Sequence, residues 1–351
     1  MFHPMTGRRL VLMVAMLLAW SPAGAPFAEL SPECAPAFQA DETAPSIQFC
    51  TRTGAPTPYC GGLSASVPPA EAAPTQQNAQ PPSDAELHAR GEKLTENQHN
   101  DDAALEEYER VEHQVERTGG ATPKVLDDKT FRVVPSGFGT FKLLIKTDDR
   151  DVDSAEYHRQ LLAWRDVLEL ALRPEDSRAK AATAKWEKKK HDRAELVDAS
   201  RDAFVPKWLG QETRNGHLCD LLELNPDPNF HPHSLFQEAL TRVTAKIWVD
   251  HATDQLVRGE ARVVRDLSIG GGILGKLYRG GVFSLEQAEF RPGVWLPVRY
   301  QYDFAGRKFL FTFEEHQYIE VSHYRRIGTP KQALAVVQSE LASGKAFTAD
   351  P

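Results

Sequence analysis

Cysteine is scarce in this chain. Only Cys34, Cys50, Cys60 and Cys219 occur in 351 residues, and none falls in the close Cys-Cys spacing that zinc sites use. Positive charge is not in excess either. Against 49 Asp and Glu there are 41 Lys and Arg, a formal charge of -8, without the basic footprint of a general nucleic-acid binder. After Trp20 no apolar run approaches the ~20 residues of a membrane-spanning helix, so no transmembrane segment is expected once an N-terminal signal is removed. Catalytic signatures are missing as well. There is no H-E-x-x-H pair and no G-x-S-x-G elbow, and the carboxylates are scattered without a local signature. The expectation is a non-enzymatic protein with no cofactor.

Two phrases come near to known chemistry and miss it. Gly270-Gly271-Gly272-Ile273-Leu274-Gly275-Lys276-Leu277 almost spells a phosphate loop, but Leu277 stands where Ser or Thr must hold magnesium. It reads as a glycine-rich loop between strands, and its apolar members Ile273 and Leu274 suit a gate over an apolar cavity or a contact with lipid. His231-Pro232-His233, with His217 and His251 to either side, is a weak metal candidate. The proline fixes an extended backbone that turns the two rings apart, so an exposed loop is expected and no metal site.

What is present starts with an export signal. Arg8 and Arg9, the apolar run Leu10 to Trp20, and the small residues Ser21, Ala23, Gly24 and Ala25 make 1–28 a signal peptide, cut after Ala25 or after Ala28, which places the mature chain in the periplasm. Residues 29–84 are rich in Pro, Ala, Ser and Gln and read as a flexible tether that cannot bury enough apolar surface to order itself. In an oxidising compartment Cys50 and Cys60, which enclose Gly54, Pro56 and Pro58, are the expected disulfide. Cys34 with either of them is the alternative, and Cys219 is expected as a buried free thiol.

The rest, 85–328 with a C-terminal helix and tail at 329–351, predicts an α+β domain on a large antiparallel sheet. A short helix is expected from Ala85 to Thr95. Leu105 to Arg117 fits a helix by its spacing and an edge strand by its alternating charges. Lys129 to Val134 and Thr140 to Lys146 form a hairpin across Pro135 to Gly139. Asp153 or Ser154 caps a helix with Tyr157, Leu161, Trp164 and Leu168 on one face, and a second helix runs from Glu175 to Ala203 with a solvated basic face around Trp186. A β meander follows, with an Asn215-Gly216 hairpin turn and a final turn at Ala305-Gly306-Arg307. In the last strands, alternation places Leu296, Val298, Tyr300, Tyr302 and Phe304 on one face and Pro297, Arg299, Gln301 and Asp303 on the other.

Lys246-Ile247-Trp248-Val249-Asp250, Gly259-Glu260-Ala261, Phe283-Ser284-Leu285-Glu286-Gln287 and Gly293-Val294-Trp295-Leu296-Pro297 resemble the sheet of bacterial exported proteins similar to the lipoprotein carrier LolA and the sensor RseB. Phe131-Arg132-Val133-Val134-Pro135 with Gly139-Thr140-Phe141 resembles an earlier strand pair in members from soil bacteria. The likeness runs from Asp101 to Gly328. It implies a strongly curved antiparallel sheet, an open half-barrel with helices on the concave side, here with a helical insertion at 153–203. It also implies an apolar cavity for a lipid, an acyl chain or a lipidated protein; from the aromatic stripe of the last strands, Trp295, Tyr300, Tyr302, Phe309, Phe311 and Phe313 are its expected lining. The alternative is a filled core, with the insertion binding an envelope protein partner as a sensor module would.

Overall fold

The computed structural model describes residues 80–344 and Phe347, apart from 121, 270–274 and 310. The signal peptide, nearly all of the tether, the Cys50 and Cys60 pairing and the gate residues Ile273 and Leu274 lie outside the described residues. Within them, thirteen strands make one antiparallel sheet. They are β1 (Tyr108–Arg117), β2 (Val125–Pro135), β3 (Thr140–Thr147), β4 (Arg150–Asp151), β5 (Phe204–Arg214), β6 (His217–Pro226), β7 (Val243–Asp250), β8 (Leu256–Val263), β9 (Leu267–Ile269), β10 (Gly275–Leu277), β11 (Val282–Arg291), β12 (Val294–Lys308) and β13 (Phe311–Arg326). The strand order β4-β3-β2-β1-β13-β12-β11-β8-β7-β6-β5 ends in two free edges, so the sheet is open, and the β9–β10 hairpin joins it through β12. The helices are α1 (Asp84–Leu105), α2 (Ser154–Ala171), α3 (Ser177–Ala203), α4 (Leu235–Leu240) and α5 (Pro330–Ser343). The open α+β architecture expected from the sequence is the one observed.

Local chemistry accounts for the well-defined elements. The β5–β6 turn has Asn215 at φ 51° and Gly216 at φ 84°, the left-handed pair that a tight hairpin needs to match strand twist. Asp153 caps α2 by accepting from the amides of Ala155 and Glu156, and the helix buries Tyr157, Leu161, Trp164 and Leu168, each worth about 2 kcal/mol of transfer free energy. Gly139, at φ +99°, lies where a Cβ would stand 2.7 Å from the Trp186 ring, so α3 approaches the β2–β3 turn only because no side chain intervenes.

Register fixes which helix covers which face. Glu112 pairs with Val321 and Gln114 with Ile319 across β1–β13, and Ile319 pairs with Tyr300 across β12–β13. These residues therefore share one face, while Val111, Arg132 and Leu143 share the other. On the Tyr300 face, Leu196 and Ala203 of α3 and Ala239 and Leu240 of α4 pack against Phe283, Leu285, Tyr302 and Phe304. On the Arg132 face, α2 and α5 close over Val134 and Leu143. The segment 153–203 is thus two helices that supply core side chains on opposite faces.

Three local expectations differ from the structure. The first helix continues from 95 to Leu105 because its inward stripe, Asn97, Asp101 and Leu105, is mostly polar and invisible to apolar periodicity. Beyond it, Tyr108 to Arg117 is a strand between β2 and β13, not an edge. The final hairpin turns at Phe309, since Gly306 pairs with Phe313 and β12 runs on to Lys308. Gly306 is needed there: a Cβ would stand 2.6 Å from the Lys276 carbonyl oxygen.

The Arg132 face is anchored by a buried ion network. All five N–H donors of Arg132, which is 0% exposed, are used: Nε and Nη2 donate to Glu109 at 2.9 and 2.7 Å, Nη1 to the Tyr157 hydroxyl at 2.9 Å, and Nη1 and Nη2 to the two oxygens of Glu340 at 2.7 and 2.9 Å. The guanidinium carbon lies 5.5 Å from the Trp164 ring centroid and 4.6 Å from that of Phe347, and Arg325 holds the second Glu109 oxygen. Removing one partner strands a desolvated charge. Glu109→Ala is expected to destabilise the fold by about 3–5 kcal/mol in urea titration; an unchanged midpoint and slope would refute the anchoring role.

Candidate binding site

A small cleft with an accessible volume of about 10 Å³, room for about one water, lies on the Tyr300 face between α1, α3 and strands β11 and β12. Its sheet wall is Leu285, Gln287, Trp295, Pro297 and Tyr300; its helix wall is Gln98, Asp101, Asp102 and Leu105 of α1 with Arg193 of α3. Trp295 and Pro297 reach this wall because of a β-bulge. Glu286 pairs with Arg299 but Gln287 pairs with Pro297, so Val298 is extra and the side-chain alternation reverses across it. The strict alternation read from the sequence, which set Pro297 opposite Tyr300, fails at that residue. Leu296 packs instead with Leu105 and Tyr108.

The helix wall is polar. Ser83 and Glu86 start α1 as a capping box, and Leu105 is the one apolar side chain among its buried residues. Attachment rests on hydrogen bonds. Arg90 donates from Nη1 to Asp220 at 2.5 Å and from Nε to Asp254 at 2.6 Å. Asn97 donates to the carbonyls of Thr253 and Asp254 at 2.9 and 3.0 Å. The Trp295 amide donates to Asp101 at 2.9 Å, and Arg193 donates to Asp102 at 3.0 Å. The Gln287 side chain, 2% exposed, has its Oε1 buried without a hydrogen-bond partner.

The carboxylates differ in character. Burial pushes the Asp101 pKa up to about 7, more than the Trp295 amide can offset, and the neighbouring Asp102 adds to the rise. Asp220 is buried too, but hydrogen bonds from His251, Trp208, Arg90 and Gln211 outweigh that cost and hold it at about 2. Deeper on the same face, burial alone would raise Glu112, yet Lys142 and Arg110 bring it below the usual carboxylate range. Glu112 accepts from Arg110 Nε at 2.9 Å and from Lys142 at 2.8 Å.

The six aromatic residues expected to line one cavity are distributed over three environments. Trp295 and Tyr300 line the cleft described above, and Trp295 also packs with Cys219, Trp248 and Val257. Tyr302 lies in the main core with its hydroxyl bonded to Gln317, and Phe313 packs at that core's margin. Phe309 and Phe311 stand in solvent at the end of the β12–β13 hairpin. His231 and His233 are exposed, and His217 and His251 pair with Asp250 and Asp220. No group of metal-ligating side chains occurs among the described residues. Cys219 is a buried free thiol whose pKa burial pushes up to about 12, with Asp250 adding to it. Sequence reasoning missed Gln98, Asp101, Asp102, Arg193 and Gln287; the one available signal was the i, i+4, i+8 spacing of Asn97, Asp101 and Leu105.

No family model matches the sequence, and no curated protein matches it. Solved structures do. An outer-membrane lipoprotein-sorting protein domain from Vibrio parahaemolyticus is 9% identical, with 71% of this chain and 99% of that one covered at a TM-score of 0.29. A LolA-superfamily protein from Nitrosomonas europaea is 10% identical, with 70% and 96% covered and a TM-score of 0.26. A DUF1329 family protein from Desulfovibrio piger is 12% identical, with 68% and 92% covered and a TM-score of 0.26. Scores of this size describe a loose match.

Because Asp101 has a folded pKa near 7 against about 3.9 in an unfolded chain, the folded state holds its proton more tightly. Its contribution to stability is therefore intact below about pH 4, falls as pH rises towards 7, and levels off above. Asp101→Asn keeps an acceptor for the Trp295 amide and removes the titration. Urea midpoints measured at pH 5 and pH 8 should fall less in Asp101→Asn than in the wild type; equal drops would show that Asp101 is not a buried acid.

Proposed function

We propose that the chain is a periplasmic, non-enzymatic binding protein of the lipoprotein-carrier type, holding a lipid, an acyl chain or a lipidated protein between the sheet and helices α1 and α3. One observation carries this reading. The apolar wall of Leu285, Trp295, Pro297 and Tyr300 is covered by a helix whose contacts, apart from Leu105 packing on Leu296 and Tyr108, are mostly hydrogen bonds and ion pairs. Such contacts exchange for water at small net cost when the helix lifts. The wall beneath gains only by meeting another apolar surface, at about 25 cal/mol per Å². Entry of an acyl chain in place of α1 follows from that asymmetry, with Tyr302 and Phe313 of the neighbouring core as further apolar contacts. The periplasmic placement rests on the export signal at 1–28. No helix among the described residues is long and apolar enough to cross a membrane.

A second reading has its own support. Tyr300, Tyr302 and Phe304 are 2–4% exposed and packed against Leu196 and Ala203, so the main core is filled as it stands. A filled core would leave the envelope-partner role, with α2 and α3 as the docking surface. Native mass spectrometry with lipid extraction on protein purified from the periplasm separates the two. The carrier reading predicts a co-purifying acyl-chain species near one per chain, and a larger bound fraction in Arg90→Ala, which loosens α1. An apo mass that stays unchanged when lipids are offered to either form would favour the filled core.

A further inference from the structure

Helix α1 sets two adjacent carboxylates over the cleft, and they have unlike partners. Asp102 takes both side-chain donors of the helix wall: Gln98 donates to it at 3.1 Å and Arg193 at 3.0 Å. Asp101, 3% exposed, accepts the Trp295 backbone amide at 2.9 Å. On the facing strand β11, Gln287 is 2% exposed and its Oε1 is buried and accepts no hydrogen bond. Asp101 and Gln287 line the same cleft, which has room for about one water. A buried acceptor without a donor is costly, and an ionised Asp101 would bring a second acceptor to it. A protonated Asp101 removes that conflict, because a carboxylic acid donates one hydrogen bond while it still accepts others. Its hydroxyl serves Gln287, directly or through a single water, and its other oxygen keeps the Trp295 amide.

The charged and titratable groups around Asp101 leave it the one that changes state near neutrality. On α3, Arg193 is engaged by Asp102, and Lys190 lies 3.9 Å from Glu106, the residue that follows α1. On β12, burial pushes the Tyr300 hydroxyl pKa well up, so it stays neutral. Burial, with Asp102 adding to it, lifts Asp101 itself to about 7. At the other end of the helix Arg90 holds Asp220, which stays ionised down to about pH 2. Two histidines stand further out: the His217 ring is 4.8 Å from that of Trp295 with its Nδ1 on Asp250, and His99 meets Asp198 of α3.

We propose that Asp101 is a proton latch for α1: protonated, it ties the helix to Gln287 and the Trp295 amide; deprotonated, it sets two acceptors against one cleft and lets residues 93–105 lift from the sheet. That the latch governs cargo rests on the carrier reading, since a one-water cleft admits an acyl chain only once α1 has lifted. The closed state holds the proton more tightly than an open state in which Asp101 meets water. Opening is therefore least below about pH 4, rises towards pH 7 and levels off above. The test is hydrogen–deuterium exchange of the mature chain without ligand at pH 5 and pH 8, each rate divided by that of an unstructured chain at the same pH. Opening of 93–105 should increase by about tenfold or more between the two, while that of α2 stays level. The increase should vanish in Asp101→Asn, which cannot titrate, and survive in His217→Gln. An α1 indifferent to pH in the wild type would overturn the latch without recourse to any variant. So would an increase that persists in Asp101→Asn, or one that is lost in His217→Gln. Uptake of the uncharged fluorophore diphenylhexatriene, followed at both pH values, separates the latch from the reading beneath it. Greater uptake at pH 8 supports the two together; opening of α1 with no uptake at either pH upholds the latch and removes the carrier.

Discussion

An apolar sheet wall faced by carboxylates is the constraint on which the rest of the Tyr300 face depends. Leu285, Trp295, Pro297 and Tyr300 need cover, and the cover they have is a helix that presents Gln98, Asp101 and Asp102 beside Leu105. The helix is secured by partners at its two ends, and those ends respond to protons in opposite senses. At the Arg90 end, Asp220 stays ionised down to about pH 2, so that clamp is closed across the physiological range. At the Trp295 end, Asp101 titrates near 7, where desolvation resists its charge. Helix α1 is consequently firm at its start and finely balanced over the cavity.

Strands β1 and β2 carry a second constraint, because they bury charge on both faces. Arg132, Glu109 and Glu340 lie under α2 and α5, while Arg110, Glu112 and Lys142 lie on the Tyr300 face. Such ion networks contribute little net stability compared with well-packed apolar residues, but they penalise every arrangement that leaves one member alone. A one-residue slip of β1 would exchange Val111 with Glu112 between faces, setting a carboxylate against apolar side chains. The sheet's register near its centre is thus specified by what cannot be buried unpaired.

Where apolar side chains recur at a fixed period, the sequence is legible: Tyr157, Leu161, Trp164 and Leu168 mark α2, and Asn215-Gly216 marks its hairpin. The Tyr300 face and the strands beside it are harder to read for three physical reasons. The inward stripe of α1 is polar, so a hydrophobic pattern stops at residue 95 while the helix continues to Leu105. The extra residue at Val298 reverses alternation in β12, which no local propensity announces. Aromatic residues in the last strands look alike in sequence, yet Tyr302 is core, Tyr300 is cavity wall and Phe311 is in solvent. Only the position of the turn at Phe309 separates them.

Carrier function as proposed requires that α1 move independently of the core beneath it. Hydrogen–deuterium exchange, followed peptide by peptide with and without a long-chain acyl ligand, measures that directly. Amides of residues 93–105 should exchange orders of magnitude faster than those of α2 and β12, and the acyl ligand should change the rate in α1 and in the 285–300 wall together. Exchange of α1 as slow as that of β12, unaltered by the ligand, would mean that the helix is part of one cooperative core and would contradict the account.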